Sequence, residues 1–263
     1  MKAFLFLLGR RAPAHLLRGT GMANTYVLGT GSRLVVVDPG AASSAGAVLD
    51  FVTQELGRRA SDISEIVVTH LHCDHIGGVA ALAGESGARV AMSVRARPYV
   101  EGTKRMRWAP IHRWMEMMTL YRQTDFTLPS FGDIVRMPWA GSPLARRHGL
   151  PFRVTRWLED REPLGDAAGW RVVASPGHTD DSICLHHGKA KALVSGDVVL
   201  GVAGKACFNP FYAFDEDQPR SERRLLKLAA ERVLPGHGVP VLEGGIDADS
   251  GLAKKKSHRR KNT

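Results

Sequence analysis

The stretch THLHCDHIGG, residues 69–78, places three histidines and an aspartate within six positions and follows them with two glycines. Buried polar side chains without partners are costly, so such a cluster needs either water or a cation beside it. The preceding run EIVV, residues 65–68, has the pattern of a short buried strand, and residues 76–82 (IGGVAAL) have that of a helix start. The sequence therefore predicts a strand-to-helix loop, where functional residues often gather. The residues on this loop are His70, His72, Asp74 and His75.

The bulk composition is that of a soluble globular protein. The chain has 263 residues, which suffices for one large domain or two small ones with a sizeable core. Its hydrophobic fraction is 44%, and no apolar run approaches the roughly 20 residues that span a bilayer. The opening MKAFLFLLGRR lacks a cleavage-site pattern after it, which favours a first β-strand over a signal peptide. Three cysteines, Cys73, Cys184 and Cys207, are too few for a disulfide framework, so we expect a reducing cytoplasm. The lack of a long apolar run predicts that the chain has no membrane partner.

The formal net charge of +10 depends strongly on the C-terminal end of the chain. Residues 254–261 (KKKSHRRK) hold six positive charges and no acid. A terminal charge run is usually solvated, so we predict a basic disordered tail over residues 246–263. Weak contact with RNA, with phosphate-bearing ligands or with acidic partners is the alternative that this charge leaves open.

Predicted strands and helices alternate along the rest of the chain, without repeats or low-complexity linkers. Strands are predicted at residues 26–28, 34–37, 170–174, 182–186 and 192–195. Helices are predicted at residues 45–56, with Ser43 or Ser44 as the N-cap, and at residues 222–232. Strand-rich halves flanked by helices indicate a layered α/β architecture, which we assign to one domain over residues 1–245.

Residues 99–149 interrupt this alternation with a long basic insertion that is rich in Trp and Met. Within the insertion Ile111, Trp114, Met115 and Met118 are spaced i, i+3, i+4 and i+7, as on one face of a helix. The first interpretation is that this face packs on the main body. The second is a lid or pocket wall, in which Trp114 and Met118 would contact the substrate, because Met and aromatic surfaces adapt to apolar ligands.

Three further turns, each after a predicted strand, carry one metal-type side chain apiece. They are SPGH ending at His178, SGD ending at Asp197 and LPGH ending at His237. Alone, each such residue is more often an ordinary turn residue, but strand ends at one edge of a sheet converge in space. With the first cluster they make five imidazoles and two carboxylates. Because one zinc usually takes four ligands, seven donors indicate two metals that share a bridging carboxylate.

This set of residues resembles the metallo-β-lactamase superfamily, whose H-x-H-x-D-H signature fits residues 70–75. The resemblance covers about residues 24–240, apart from the central insertion. It implies an α/β fold, a four-layer αββα sandwich with a helical insertion, and a dinuclear metal site at one edge. The resemblance assigns His70, His72 and His178 to one metal, Asp74, His75 and His237 to the other, and Asp197 to both. Asp38, after the strand LVVV, matches the family's acidic residue at that point and would orient a ligand.

The resemblance also implies a metal-dependent hydrolase. Two divalent ions would lower the pKa of a shared water and supply a bridging hydroxide as the nucleophile, while one ion polarises the carbonyl or phosphoryl oxygen. Asp74 would take the water's proton and return it to the leaving group. Zinc is the first expectation, and iron, manganese or cobalt also suit His/Asp sites.

A small ester or thioester is the favoured substrate class. Hydroxyacylglutathione hydrolases, which belong to the same superfamily, carry the full ligand set, whereas the true β-lactamases generally lack the bridging aspartate. Lys205 resembles the basic substrate-binding residue of those hydrolases, although it is one residue closer to the bridging position, and Tyr212 is a further candidate. A non-catalytic binding protein is not expected, because no ligand position is missing.

Two alternatives stay open at this point. The stretches PGHTDDSICL and SGDVVLG resemble a small β-lactamase-like subgroup that includes a single-strand endoribonuclease. Arg105, Arg107 and Arg113 of the insertion would suit a phosphate backbone. The other alternative is a lactonase, which is the weaker one because residues 198–200 (VVL) stand where the acyl-homoserine lactonases usually have a tyrosine.

Overall fold

A computed structural model of the chain describes residues 2–7, 13–18, 22–29, 31–110, 112–113, 124, 130–136 and 150–251. Within these ranges, no helix combines the length and the hydropathy that crossing a bilayer requires. The helix face predicted in the insertion, with Ile111, Trp114, Met115 and Met118, lies outside the described residues. Residues 252–263 also lie outside them, so the disordered tail stays a prediction there.

The first sheet has seven strands, which are ordered in space as they are in the chain. They are β1 (Lys2–Leu7), β2 (Pro13–Arg18), β3 (Thr25–Leu28), β4 (Leu34–Val37), β5 (Ile63–Val68), β6 (Arg89–Ser93) and β7 (Arg156–Leu158). Neighbours from β1 to β4 are antiparallel, and neighbours from β4 to β7 are parallel. Parallel strands need crossover connections, and those of this sheet contain helices. These helices are α1 (Ser44–Asp50), α2 (Cys73–Ile76), α3 (Val79–Ser86), α4 (Arg97–Val100) and α5 (Phe131–Arg136).

The second half of the chain forms a four-stranded sheet and a small three-stranded sheet. The larger one contains β8 (Trp170–Ala174), β9 (Ile183–His187), β10 (Ala192–Gly196) and β13 (Arg232–Pro235), in the order β13-β10-β9-β8. The smaller one contains β11 (Val199–Val202), β12 (Lys205–Phe208) and β14 (Ile246–Asp247). The helix α6 (Gln218–Lys227) precedes β13.

The alternation of side chains along the strands divides the interior into layers. In β4, Val35 and Val37 pack in the buried cluster between the two large sheets, while Val36 packs under α1 and α3. In β9, Leu185 faces the first sheet, whereas Cys184 joins a third cluster that includes a leucine of α6. Helices therefore cover the outer face of each sheet, and the predicted αββα sandwich is confirmed.

Two predicted boundaries are wrong. The helix predicted at residues 222–232 begins earlier, at Gln218, because Pro219 is accepted in the first turn, where no N–H is needed. It also ends earlier, at Lys227, and Arg232 already begins β13. The tail was predicted to begin at residue 246, but β14 pairs in parallel with β12, so the folded body extends at least to Gly251. The helix predicted at residues 45–56 exists, with Phe51–Glu55 wound as a π-helix.

Candidate metal centre

The predicted ligands lie where strands of both large sheets end. Backbone hydrogen bonds join these ends: the Ile183 N–H donates to the Thr69 carbonyl at 2.9 Å, and the Gly236 N–H donates to the Gly196 carbonyl at 2.7 Å. The loop after β5 therefore lies beside the ends of β10 and β13. The two edges form one surface, and all seven predicted ligands converge there in two groups.

The first group contains His70, His72, His178 and Asp197, whose ligand atoms lie within 4.8 Å of one another. His72 Nδ1 is 3.0 Å from His70 Nε2 and 3.1 Å from His178 Nε2. Asp197 Oδ2 is 3.6 Å from His178 Nε2 and 4.0 Å from His70 Nε2. Two donors on one tetrahedral zinc are about 3.3 Å apart, so these spacings suit a shared ion.

The second group contains Asp74, His75 and His237. Asp74 Oδ2 is 3.2 Å from His237 Nε2 and 3.8 Å from His75 Nε2. Asp197 also reaches this group, since its Oδ2 is 3.3 Å from His237 Nε2 and its Oδ1 is 3.2 Å from His75 Nε2. Asp197 is thus the carboxylate that contacts both groups.

Acceptors behind the imidazoles fix which ring nitrogen faces the centre. His75 Nδ1 lies 2.9 Å from Asp38 Oδ2. His178 Nδ1 lies 2.5 Å from the Phe211 carbonyl oxygen, and His237 Nδ1 lies 2.9 Å from the Met22 carbonyl oxygen. Such oxygens can only accept, so each Nδ1 carries the hydrogen, and in the neutral ring Nε2 presents its lone pair to the other ligands.

His70 is oriented through Thr69. The Thr69 hydroxyl donates to Asp38 Oδ2 at 2.6 Å, and the same oxygen is 3.0 Å from His70 Nδ1. Because that hydroxyl hydrogen is already engaged, the Thr69 oxygen accepts from His70 Nδ1. Asp38 therefore sets the tautomer of His75 directly and that of His70 through Thr69.

These tautomers bring lone pairs together, and the arrangement fits a cation. In the first group, the Nε2 lone pairs of His70 and His178 both face His72 Nδ1, at 3.0 and 3.1 Å, and that nitrogen can donate a hydrogen to at most one of them. In the second group, the buried atoms His75 Nε2 and Asp197 Oδ1 have no hydrogen-bond partner among the described residues. Buried acceptors in this state are costly unless a positive charge is shared among them. Imidazole and carboxylate donors suit zinc and other divalent transition ions.

The pKa values follow burial and the nearby carboxylates. Burial, together with the neighbouring imidazoles, lowers the pKa of His72 to about 3, so this ring is neutral at physiological pH. Burial also opposes the charged form of His237, yet Asp197 and Asp74 raise the pKa of His237 to about 9. The carboxylates thus favour positive charge in the second group, which either a proton or a metal ion can provide.

The two glycines after the motif allow a close approach to the turn that carries Asp38. A Cβ atom on Gly77 would lie 2.8 Å from the Gly40 carbonyl, and one on Gly78 would lie 2.7 Å from the Pro39 carbonyl. Asp38 itself has φ 49°, in the left-handed region that aspartate tolerates, and its Oδ1 accepts from the Thr69 N–H at 2.8 Å. The glycines therefore let the ligand loop pack against the residue that orients it.

Two residues of the site were missed from the sequence. The Asn209 side chain donates to the Asp197 carbonyl at 2.8 Å and accepts from the Phe211 N–H at 2.9 Å. It therefore connects Asp197 to the segment whose Phe211 carbonyl contacts His178. The Trp108 ring stacks on the His72 ring, with centroids 5.3 Å apart and planes at 13°. The Asn-Pro pair at residues 209–210 signals a turn, but no sequence pattern signals the contact of Trp108.

Lys205 and Tyr212, the two predicted substrate residues that the structure describes, contact residues outside both ligand groups. Lys205 begins β12 with its side chain 72% exposed, and its Nζ is 3.8 Å from Asp247 Oδ2. Asn209, which contacts the site, lies four residues further, about 13 Å along an extended chain. Tyr212 is buried beneath the Arg113 guanidinium, which lies 3.3 Å from its ring centroid. Trp114 and Met118 lie outside the described residues.

The chain is similar to one protein family and to several known proteins. The model of the metallo-beta-lactamase superfamily matches residues 18–237. The chain is 27% identical over 242 residues to the beta-lactamase-like protein 2 homolog of Caenorhabditis elegans, covering 92% of this chain and 63% of that protein. It is 28% identical to the probable metallo-hydrolase YflN of Bacillus subtilis (strain 168), covering 87% and 85%. It is 29% identical to the atrochrysone carboxyl ACP thioesterase AgnL7 of Paecilomyces divaricatus, covering 95% and 60%. The chain thus spans less than two thirds of the nematode and the fungal protein.

Solved structures share this fold. A metallo-beta-lactamase family protein from Thermus thermophilus has a TM-score of 0.58 and 22% identity, covering 98% of this chain and 79% of that one. The protein TTHA1623, crystallised in a di-iron-bound form, has a TM-score of 0.57 and 25% identity, covering 90% of this chain and 97% of that one.

Proposed function

The chain belongs to the metallo-β-lactamase superfamily, and on that basis we propose that it is a metal-dependent hydrolase of a small thioester or ester. The observation that carries the proposal is the pair of ligand groups that share Asp197. The names of two relatives, a probable metallo-hydrolase and an acyl-carrier thioesterase, support it. The di-iron form of TTHA1623 supports two ions per chain.

The chain's own residues would bind the ions and transfer a proton from the attacking water to the leaving group. Bound divalent ions lower the pKa of water and polarise the substrate carbonyl. His70, His72 and His178 would hold one ion, Asp74, His75 and His237 the other, with Asp197 held by both. Asp74 is the more exposed of the two ligand carboxylates: its side chain is 14% exposed, and that of Asp197 is 4% exposed. Asp74 can therefore contact a water molecule that enters from solvent.

Asp74 is also in the protonation state that a general base needs. Burial opposes its ionisation, but the His75 and His237 imidazoles hold the pKa of Asp74 below its ordinary value. As a carboxylate, Asp74 would accept a proton from the attacking water at Oδ2. It would then return this proton to the sulfur or oxygen of the leaving group as the C–S or C–O bond breaks, so that the leaving group departs as a thiol or an alcohol.

Protein purified without chelator is expected to contain close to two transition-metal ions per chain, measured by elemental analysis. His178→Ala should lose metal from the first group, whereas His186→Gln, a histidine on β9 outside both groups, should keep the wild-type content. A content of one ion that does not rise when metal is added would contradict the dinuclear assignment.

A substrate panel tests the reaction itself. The metal-loaded protein is offered neutral thioesters, carboxylate esters, lactones, a phosphodiester and single-stranded RNA, and kcat/KM is compared. We expect thioesters or esters to be the best substrates. Metal-dependent cleavage of RNA without turnover of any ester would overturn the proposal in favour of a nuclease.

A further inference from the structure

Residues 95–110, which we call the cationic wall, lie against the loop that carries His178. Asp180, two residues beyond that ligand, fastens the wall through several hydrogen bonds. Arg95 Nε donates to the Asp180 carbonyl at 2.8 Å, and its guanidinium also contacts the carboxylate. Tyr99 Oη and Lys104 Nζ donate to Asp180 Oδ2 at 2.9 and 2.6 Å. Two residues span at most about 7 Å between Cα atoms, so Asp180 holds these side chains against the loop that carries His178.

The wall also reaches the first ligand group directly. Trp108 stacks on His72, which is itself partly exposed, and the indole is partly exposed as well. Trp108 therefore bounds the approach to the first group. An apolar chain that reaches the centre along this side would contact the indole, whose large face favours such burial.

The cationic wall has more positive than negative side chains. The wall carries five cations, and four of them are paired with three carboxylates. Arg97 pairs with Glu101 at 2.7 Å and Arg107 with Glu216 at 3.6 Å, while Arg95 and Lys104 share Asp180. The fifth cation, Arg105, is exposed and forms no ion pair with the residues that the structure describes. At the shared position the Arg95 and Lys104 side chains are 44% and 49% exposed, whereas the Asp180 side chain is 11% exposed. The face that meets solvent beside the metal centre is therefore positive.

We propose that the cationic wall selects substrates whose acyl group carries a carboxylate, with this carboxylate at Arg95 and Lys104 and the carbon chain along Trp108. The inference rests on the proposed function and names its substrate class. Two cations around one aspartate leave a single positive charge in excess, which matches one carboxylate. A single-stranded nucleic acid would need a track of unbalanced cations, whereas Arg97 and Arg107 are each paired with a carboxylate.

The test uses two thioesters that differ in one charge. They are the glutaryl thioester of N-acetylcysteamine and its methyl ester, compared on the full metal-loaded protein. We expect the wild type to have a lower KM for the glutaryl compound than for its methyl ester. Lys104→Gln should raise the KM for the glutaryl compound about fivefold, as for loss of one exposed ionic contact, and should change the KM for the methyl ester by less than about twofold. Lys104→Arg should restore the preference.

Lys191→Gln is the matched control. Lys191 pairs with Glu231 at 2.5 Å and is 56% exposed, much like Lys104, but it lies between β9 and β10 at the opposite ends of these strands from the ligands. This variant should leave both KM values unchanged. Metal content is measured for every variant, because a lower content in Lys104→Gln would show that the loop of His178 has moved.

Binding gives a readout that does not need turnover. Glutarate is titrated against the tryptophan fluorescence of the wild type, Trp108→Phe and Lys104→Gln, with dimethyl glutarate as the neutral probe. We expect glutarate to bind more tightly than its diester, with the signal reduced in Trp108→Phe and affinity reduced about fivefold in Lys104→Gln.

The outcomes separate the two proposals. If neither thioester is hydrolysed, the proposed function fails, and the glutarate titration alone decides the role of the wall. If thioesters are hydrolysed but Lys104→Gln affects both compounds equally or neither, the inference about the wall is overturned while the hydrolase stands. Binding of a single-stranded RNA that is lost in Lys104→Gln, with no charge preference among thioesters, would also overturn it.

Discussion

Asp197→Ala is expected to deplete both ligand groups of metal and to lower kcat/KM by roughly a thousandfold or more. Asp197 is the carboxylate whose oxygens lie near imidazoles of both groups, at 3.2 Å from His75 and 3.6 Å from His178. Its removal leaves neutral imidazoles with less negative charge to balance two divalent ions. Stabilisation by metal ions amounts to several kcal/mol in the transition state, and each 1.36 kcal/mol is a factor of ten in rate.

Elemental analysis and thermal unfolding distinguish this loss from simple unfolding. A metal that binds the folded state stabilises it by mass action, by about 2.7 kcal/mol at 100 times the dissociation constant. Chelator should therefore lower the Tm of the wild type and leave that of Asp197→Ala unchanged. Asp166→Ala, which loses a partly exposed pairing with Arg89 at 3.4 Å, serves as the control. Retention of two tightly bound ions by Asp197→Ala would contradict the bridging role.

The convergence of the seven side chains was predictable because each stands in a local pattern that the sequence displays. Strands with alternating or continuous apolar residues precede the motif and the turns at His178, Asp197 and His237, and turns after strands meet at sheet edges. Asp38 was identified through the resemblance to the family, and the strand before it, LVVV at residues 34–37, has the continuous apolar pattern of a strand buried on both faces.

Other features were not predictable because they depend on contacts between distant segments. Trp108 reaches His72 across 36 residues, and Asn209 reaches Asp197 from the end of the next hairpin. Neither contact has a periodicity or a spacing that marks it in the chain. The helix α6 begins four residues before its predicted start, because Pro219 occupies the first turn, where proline is favoured.

Asp38→Asn is expected to weaken metal binding in both groups, by roughly 10- to 100-fold in each, although Asp38 lies outside both groups. Asp38 Oδ2 accepts from the Thr69 hydroxyl and from His75 Nδ1, while Oδ1 accepts from the Thr69 N–H. An asparagine amide has one oxygen and one NH2, so in either orientation it places a donor against a donor. Asparagine tolerates the left-handed φ of 49°, so the backbone need not change.

Thr69→Val separates the two branches of this arrangement. It removes the hydroxyl that orients His70 but keeps the contact between Asp38 and His75, so metal binding should weaken in the first group alone. Thr69→Ser, which keeps the hydroxyl, is the matched control. Affinities for the two ions are measured by competition with a chelator of known affinity, which gives one binding step for each ion. The variants His70→Ala and His75→Ala then show which binding step belongs to the first group and which to the second. If Asp38→Asn weakened one step and Thr69→Val left both unchanged, Thr69 would not transmit the effect of Asp38 to His70. The coupling follows from proton positions: a hydroxyl with one hydrogen, already given to a carboxylate, can only accept from the imidazole beside it.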